Sequence, residues 1–140
     1  MCGIVGIASN QDCIQNIISG LKALEYRGYD SSGIAIAEKN TLSFQKSVGK
    51  ISTLENKLDS HKPKGSIAIG HTRWATHGGV TQKNTHPFLS CDKKFAVAHN
   101  GIISNFRALK EQLVKEDHRF YSETDTEVVP HLLEKFFRKG

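Results

Sequence analysis

The spacing of the short apolar segments constrains the fold of this chain more than any other feature. Residues 2–8 form an apolar run typical of a buried strand, and "SIAIGHT" and "KFAVAHN" are two further predicted strands. "GIAIAE" and "LSFQKSV" flank a turn at Lys39-Asn40, which predicts a β-hairpin. Because the regular βαβ rhythm and the GxGxxG turn of a nucleotide-binding fold are missing, the sequence predicts the α+β class.

Three amphipathic helices are predicted between and after these strands. The first begins at a capping box of Asp12 and Gln15, and its apolar face is formed by Ile14, Ile17, Ile18, Leu21 and Leu24. The second runs through Ile51, Leu54 and Leu58. The third spans residues 104–115, with Phe106, Leu109 and Leu113 facing inward.

A last helix has a broad apolar face that we expect to be buried. The face is formed by Val128, Val129, Leu132, Leu133, Phe136 and Phe137. Thr124 and Glu127 resemble a capping box for this helix. Pro130 would then lie several residues inside it and remove a hydrogen bond, so the predicted start is uncertain by a turn.

Composition and charge narrow the class of protein. The 140 residues fit one domain, and 38% hydrophobic and 24% charged residues are typical of a globular chain. There is no secretory signal and no apolar run of membrane-spanning length, so we expect a cytoplasmic protein without a membrane partner. Because the net charge of +5 is scattered, we predict no nucleic-acid partner. Three cysteines are an odd number, so at least one should be a free thiol.

Cys2 stands directly behind the initiator methionine in "MCGIVGI". If Met1 is removed, Cys2 becomes the first residue, and its α-amine has a pKa close to that of its thiol. The amine can therefore take the thiol proton, so that one residue supplies both nucleophile and base. The alternative is that Cys2 is a small buried hydrophobic residue in a strand.

The segment "AHNG" at the end of a predicted strand could stabilise an oxyanion. Asn100 offers a side-chain NH2 and Gly101 a backbone N–H, the donors that an acyl-transfer intermediate requires. Asn-Gly is also a strong hairpin-turn signal, so a turn is the alternative interpretation.

Two segments carry charges suited to a free amino acid. Arg73, in "GHTRWATHGG", can bind a carboxylate through two parallel hydrogen bonds, and Asp125, in "SETDTE", can accept hydrogen bonds from an ammonium group. The alternatives are that Arg73 lies on the surface, that Asp125 caps a helix and that Trp74 only packs against its neighbours.

A further motif, "EYRGYDSSGIAI", brings Arg27, Tyr29 and Asp30 together at a turn. We expect these residues to form a structural clasp near the nucleophile.

The histidines of the central segment match no metal-site pattern. His71, His77, His86 and His99 have neither HExxH nor paired zinc spacing, so we predict no metal site. A histidine acting as the base for a cysteine nucleophile is an alternative to the α-amine.

Six motifs together resemble the glutaminase domain of glucosamine-6-phosphate synthases, the glutamine:fructose-6-phosphate aminotransferases. They are "MCGIVGI", "LEYRGYDSSGIAI", "GHTRWATHGG", "NTHPF", "AHNGIISN" and "SETDTEVV", and they run in family order from residue 1 to about residue 135. The resemblance implies a class II glutamine amidotransferase with an N-terminal nucleophile hydrolase fold, a four-layer αββα sandwich of two antiparallel sheets between helical layers.

The resemblance also implies roles for matching residues. Cys2 would attack the side-chain amide of L-glutamine with its α-amine as base, and Asn100 and Gly101 would form the oxyanion hole. Arg73 would bind the glutamine carboxylate and Asp125 its amino group. The remaining implied pocket residues are Thr76, His77 and Trp74, the last gating ammonia passage. No cofactor is implied.

Length is the main departure from the family. Its glutaminase domain continues beyond residue 140, and a sugar-phosphate isomerase region normally follows. We therefore expect residues 1–140 to be a C-terminally truncated, partial glutaminase domain that releases ammonia without completing transfer to fructose-6-phosphate. Two alternatives are a split enzyme, in which another chain supplies the isomerase region or the remaining domain half, and an inactive glutamine-binding or interaction module.

Overall fold

A computed structural model describes residues 1–61, 63–75 and 79–140. The strands are β1 Gly3–Ala8, β2 Ser31–Glu38, β3 Thr41–Val48, β4 Ile67–Arg73, β5 Phe88–Leu89 and β6 Ala96–Val97. The helices are α1 Ile14–Leu24, α2 Ile51–His61, α3 Phe106–Lys115 and α4 Val128–Lys139, with short 3₁₀ turns at Glu25–Arg27 and Gln82–Asn84.

Four strands form an antiparallel sheet in the order β1-β4-β2-β3. The predicted hairpin is confirmed, since Glu38 pairs with Thr41 across the turn and Lys39 adopts a positive φ of 51°. Alternate residues of the central strands point to opposite faces. Ile34 and Ile36 of β2 therefore face α1 and α2 in one buried apolar cluster.

The opposite face of the sheet approaches the second half of the chain. A Cβ atom at Gly33 would lie 2.2 Å from the carbonyl oxygen of His86, so only glycine allows this approach. Just beyond His86, β5 pairs antiparallel with β6, and α4 contacts both of these short strands. The resulting order of layers is α1 and α2, the four-stranded sheet, the two-stranded sheet, and α4.

Both predicted capping boxes are wrong. The Asp12 carboxylate accepts the Gly65 backbone N–H at 2.9 Å, and α1 begins after Cys13 without a side-chain cap. Helix α4 begins only at Val128, again without a side-chain cap. Pro130 consequently lies in the first turn of α4, where the backbone N–H has no intrahelical partner to lose.

The expected burial of the apolar face of α4 is confirmed for Val128 and wrong for its last part. Leu133, Phe136 and Phe137 are 43%, 64% and 66% exposed. Besides Val128, the buried residues of this helix are Pro130, His131, Glu134 and Lys135. None of the described helices combines the length and apolar character needed to cross a bilayer.

Candidate active site

One cleft of about 630 Å³ collects the predicted site residues that the structure describes. Its lining includes Cys2, Arg73, Trp74, Asn100, Gly101 and Asp125. Thr76 and His77 lie outside the described residues. Residues from the two ends of the chain, such as Cys2 and Asp125, thus share one cavity.

Cys2 lies at the edge of the sheet, just before β1. Its Sγ accepts a hydrogen bond from the Trp74 backbone N–H at 3.2 Å and lies 3.6 Å from the Trp74 carbonyl oxygen. The side chain is half-buried, in contrast with the fully buried core residue of the alternative interpretation. Its thiol, like those of Cys13 and Cys91, is free, which confirms the prediction from the odd cysteine count.

The side chain of Asn100 connects the two halves of the chain beside Cys2. Its Nδ2 donates to the Cys2 carbonyl oxygen at 3.2 Å, and its Oδ1 lies 2.8 Å from His71 Nε2. Burial lowers the pKa of His71 to about 4, so the ring is neutral at pH 7. A neutral ring with its proton on Nε2 donates to Oδ1, which turns the amide NH2 of Asn100 toward Cys2.

Gly101 occupies a position that requires glycine. Its φ is +155°, and a Cβ atom would lie 2.8 Å from His99 Nε2. The absence of a side chain keeps its backbone open to the cleft next to Asn100.

Arg73 and Trp74 are held at the end of β4 by the predicted clasp. The Asp30 backbone N–H donates to the Arg73 carbonyl oxygen at 3.1 Å, and the Asp30 carboxylate accepts the Ala75 N–H at 2.7 Å. The Tyr29 ring meets the half-exposed Trp74 indole edge to face at 5.1 Å. These contacts confirm that the turn after α1 fixes the backbone beside the cysteine.

The Arg73 side chain is buried, unlike the surface arginine of the alternative interpretation. It is 4% exposed, and Nη1 donates to the Gly79 carbonyl oxygen at 3.1 Å. A buried guanidinium at the wall of a cleft can bind a carboxylate strongly because little water screens the interaction.

Asp125 lies across the cleft on the segment before α4. Its Oδ2 accepts the Ile103 N–H at 2.6 Å, which ties this segment to the chain after Gly101. Asp125 therefore does not cap α4. Among the described residues, its second oxygen, Oδ1, has only a long contact of 3.4 Å with the Thr126 hydroxyl.

Two histidines form the floor of the cleft, where His71 orients Asn100, a role that the sequence did not predict. His71 stacks on His86 with ring centroids 4.1 Å apart, and burial lowers the pKa of His86 to about 2. Both rings are consequently neutral at pH 7 and add no positive charge to the cleft. The pattern that could have revealed His71 is its position two residues before Arg73 on the same strand, since alternate residues share a face.

The sequence of this chain is similar to those of known proteins. A model of the glutamine amidotransferase domain family matches residues 58–139, more than half of the chain. The glutamine–fructose-6-phosphate aminotransferase of Methanococcus maripaludis is 50% identical over 96% of this chain. The Pyrococcus horikoshii enzyme of the same name is 49% identical over 99% of this chain.

Solved structures show the same fold. Glutamine phosphoribosylpyrophosphate amidotransferase from B. subtilis superposes with a TM-score of 0.78 and 33% identity, over 96% of this chain and 29% of its own. An allosteric regulatory enzyme of purine biosynthesis superposes with a TM-score of 0.81, again at 33% identity, over 96% of this chain and 30% of its own.

The antiparallel sheets and the similarity to these solved structures define the protein class as an N-terminal nucleophile hydrolase, as predicted. Within this class, the chain belongs to the glutamine amidotransferase family. It spans only 22% and 23% of the lengths of the two aminotransferases it was compared with.

Proposed function

We propose that this chain is the glutamine-hydrolysing part of a glutamine–fructose-6-phosphate aminotransferase, releasing glutamate and ammonia. The observation that carries the proposal is the meeting of the Cys2 thiol and the Asn100 amide in one cleft, with the amide oriented by His71. The near-50% identity to aminotransferases over nearly the whole chain supports the same reaction.

The chemistry begins with removal of Met1, which converts the backbone nitrogen of Cys2 into a free amine. This amine takes the thiol proton, and the thiolate adds to the side-chain amide carbon of glutamine. Asn100 Nδ2 and the Gly101 N–H stabilise the resulting oxyanion. The amine then protonates the leaving nitrogen, ammonia departs, and water hydrolyses the remaining thioester to glutamate. Every group in this cycle comes from the chain, its substrate or water, without a cofactor.

Charged groups on opposite sides of Cys2 would orient the substrate. Arg73 binds the α-carboxylate of glutamine and Asp125 its α-ammonium group, using the lightly engaged Oδ1. Thr76 and His77, which lie outside the described residues, are further candidates for substrate binding by the family resemblance. Trp74, half-exposed at the rim, would control where ammonia leaves. Fixing both charged ends of glutamine places its side-chain amide at the thiol.

The wider reaction would use fructose-6-phosphate as ammonia acceptor and yield glucosamine-6-phosphate. In this proposal, residues 1–140 form a partial glutaminase domain. The sugar-binding isomerase region lies elsewhere, either further along a longer protein or in a partner chain. The chain alone would release ammonia without transferring it to the sugar.

The experiment that tests the proposal measures glutamate formed from glutamine by the purified chain. We expect turnover that Cys2→Ala abolishes and that Cys13→Ala, a change at a cysteine remote from the cleft, retains. Undiminished activity of Cys2→Ala would overturn the proposal. Glutamine binding with no turnover by a folded chain would instead support a binding module.

A further inference from the structure

Four side chains with metal-binding atoms converge away from the cleft. They are Cys91, His118, His131 and Glu134, and one ligand atom from each lies within 4.8 Å of all the others. None of the four lines the cleft that contains Cys2. The two histidines and Glu134 are buried, whereas Cys91 is exposed and leaves a path for an ion to enter.

Four of the six distances between these atoms are close to the edges of a tetrahedron around one ion, and all six are within 4.8 Å. The Nδ1 atoms of His118 and His131 are 3.4 Å apart, and Cys91 Sγ is 3.6 Å from His131 Nδ1. Glu134 Oε2 lies 3.4 Å from His118 Nδ1 and 3.8 Å from His131 Nδ1. Tetrahedral Zn²⁺ with bonds of about 2.0 to 2.3 Å separates its ligand atoms by about 3.3 to 3.8 Å.

The groups around the cluster orient its members as in a metal site. Glu127 Oε1 lies 3.8 Å from His131 Nε2, a nitrogen that is buried and makes no hydrogen bond among the described residues. A proton on Nε2 directed at this carboxylate leaves the Nδ1 lone pair facing the cluster. On the other side, the Arg119 backbone N–H donates to Cys91 Sγ at 3.3 Å.

Charge and hydrogen bonding also favour a cation. A thiolate and a carboxylate carry two negative charges, which one divalent ion neutralises, while the imidazoles bind as neutral ligands. Glu134 Oε2 also accepts the Cys91 backbone N–H at 3.0 Å, and Arg138 pairs with Oε1, so the carboxylate is fixed beside the two imidazoles.

We propose that Cys91, His118, His131 and Glu134 bind one Zn²⁺. A thiolate with two imidazoles selects zinc over hard ions such as Mg²⁺. Four protein ligands leave no open position for water, so the ion is structural, and the thiol proton is released to solvent on binding. The ion joins α4, the segment after α3 and the loop after β5, around the strand β6 that leads to Asn100.

The predicted absence of a metal site rested on other histidines and on short ligand spacings. The ligands of this cluster are separated by 13 residues between the two histidines and by 40 between Cys91 and His131. No short motif contains them, and only the fold brings them together.

The test titrates the 140-residue chain carrying Cys2→Ala, which removes the competing thiol of the cleft, with Co²⁺ and then Zn²⁺. We expect a thiolate-to-cobalt charge-transfer band that saturates at one ion per chain and disappears when Zn²⁺ is added. Adding Cys91→Ala should abolish the band, and His118→Ala should weaken affinity more than the ~100-fold typical of outer-shell changes. The controls Cys13→Ala and His61→Ala should leave the titration unchanged.

A second measurement uses the unsubstituted chain, so that a variant that fails to fold cannot obscure the result. Zn²⁺ should protect Cys91 from alkylation by iodoacetamide, as read by peptide mass spectrometry, and should raise the thermal midpoint, whereas Mg²⁺ should do neither. Equal alkylation of Cys91 with and without Zn²⁺, or a cobalt band that survives Cys91→Ala, would overturn the site.

Discussion

The two halves of the chain bury different kinds of side chain. The half up to β4 contains an aliphatic cluster of Ile, Leu, Ala and Cys side chains between α1, α2 and the sheet. Among the described residues after Gly79, the buried apolar side chains are Pro87, Phe88, Leu113, Val128 and Pro130, and buried polar residues outnumber them. Those polar residues are Asn84, Thr85, His86, Ser90, His118, Ser122, Thr126, Glu127, His131, Glu134 and Lys135.

The two halves are therefore stabilised by different kinds of interaction. The first half is stabilised by non-directional burial of apolar area, which tolerates small shifts of its parts. The second half depends on directional contacts, as at Glu127, whose carboxylate accepts the Tyr121 N–H at 2.9 Å and the Ser122 N–H at 2.7 Å. The candidate site lies where the halves meet, with Cys2 on the first and Asn100 on the second.

The largest expected stability effect concerns the apolar half. Leu54 is fully buried, so Leu54→Ala should lower the free energy of unfolding by about 2–5 kcal/mol. Phe136 is 64% exposed on α4, and Phe136→Ala should change that energy by less than about 0.5 kcal/mol. Chemical denaturation measures the free energy of unfolding of both variants. Comparable losses in the two would show that the exposed face of α4 contributes to a core.

The next prediction concerns the contact between the halves. Asn100→Ala removes one proposed oxyanion donor, which should reduce kcat for glutamate release by about 10²–10³-fold with little change in KM. Asn105→Ala, at an exposed asparagine without a side-chain hydrogen bond at the start of α3, is the matched control and should keep full activity. A tenfold rise in KM with unchanged kcat would instead assign Asn100 to substrate binding.

The third prediction concerns the pH dependence contributed by His71. Because its pKa falls from 6.5 to about 4 on folding, its stabilising contribution is complete above pH 6.5 and is lost as the pH falls toward 4. His71→Gln can keep a donor for Asn100 and should reduce this acid-side loss by about 3 kcal/mol. His61→Gln, at an exposed histidine, should leave the pH profile of unfolding unchanged. Identical profiles for His71→Gln and the unsubstituted chain would show that His71 is not buried as a neutral ring.

The apolar half could be predicted from the sequence because its burial follows regular periods. The hairpin at Lys39-Asn40 and the inward positions of α2 are confirmed by the structure. The same reasoning failed for α4, where it assigned Phe136 and Phe137 to the core. Side-chain periodicity identifies an apolar face, but it cannot show that a polar face has partners elsewhere in the chain.

The residues of the candidate site could be predicted from the sequence, but the contacts that orient them could not. Cys2, Arg73, Asn100 and Asp125 were found because their chemistry is unusual for their positions, and the structure places them in one cleft. The orientation of Asn100 by His71 was not found, because it depends on two side chains 29 residues apart that meet only in the folded chain.

The central claim is that Cys2, freed of Met1, is the nucleophile at the junction of the two halves. The most direct test treats the purified chain with a glutamine analogue whose side-chain amide is replaced by an electrophilic diazoketone, followed by peptide mass spectrometry. We predict one adduct per chain, on a peptide that begins at Cys2, and none on Cys13 or Cys91. An adduct on a peptide that retains Met1, or equal labelling of the three cysteines, would contradict the account.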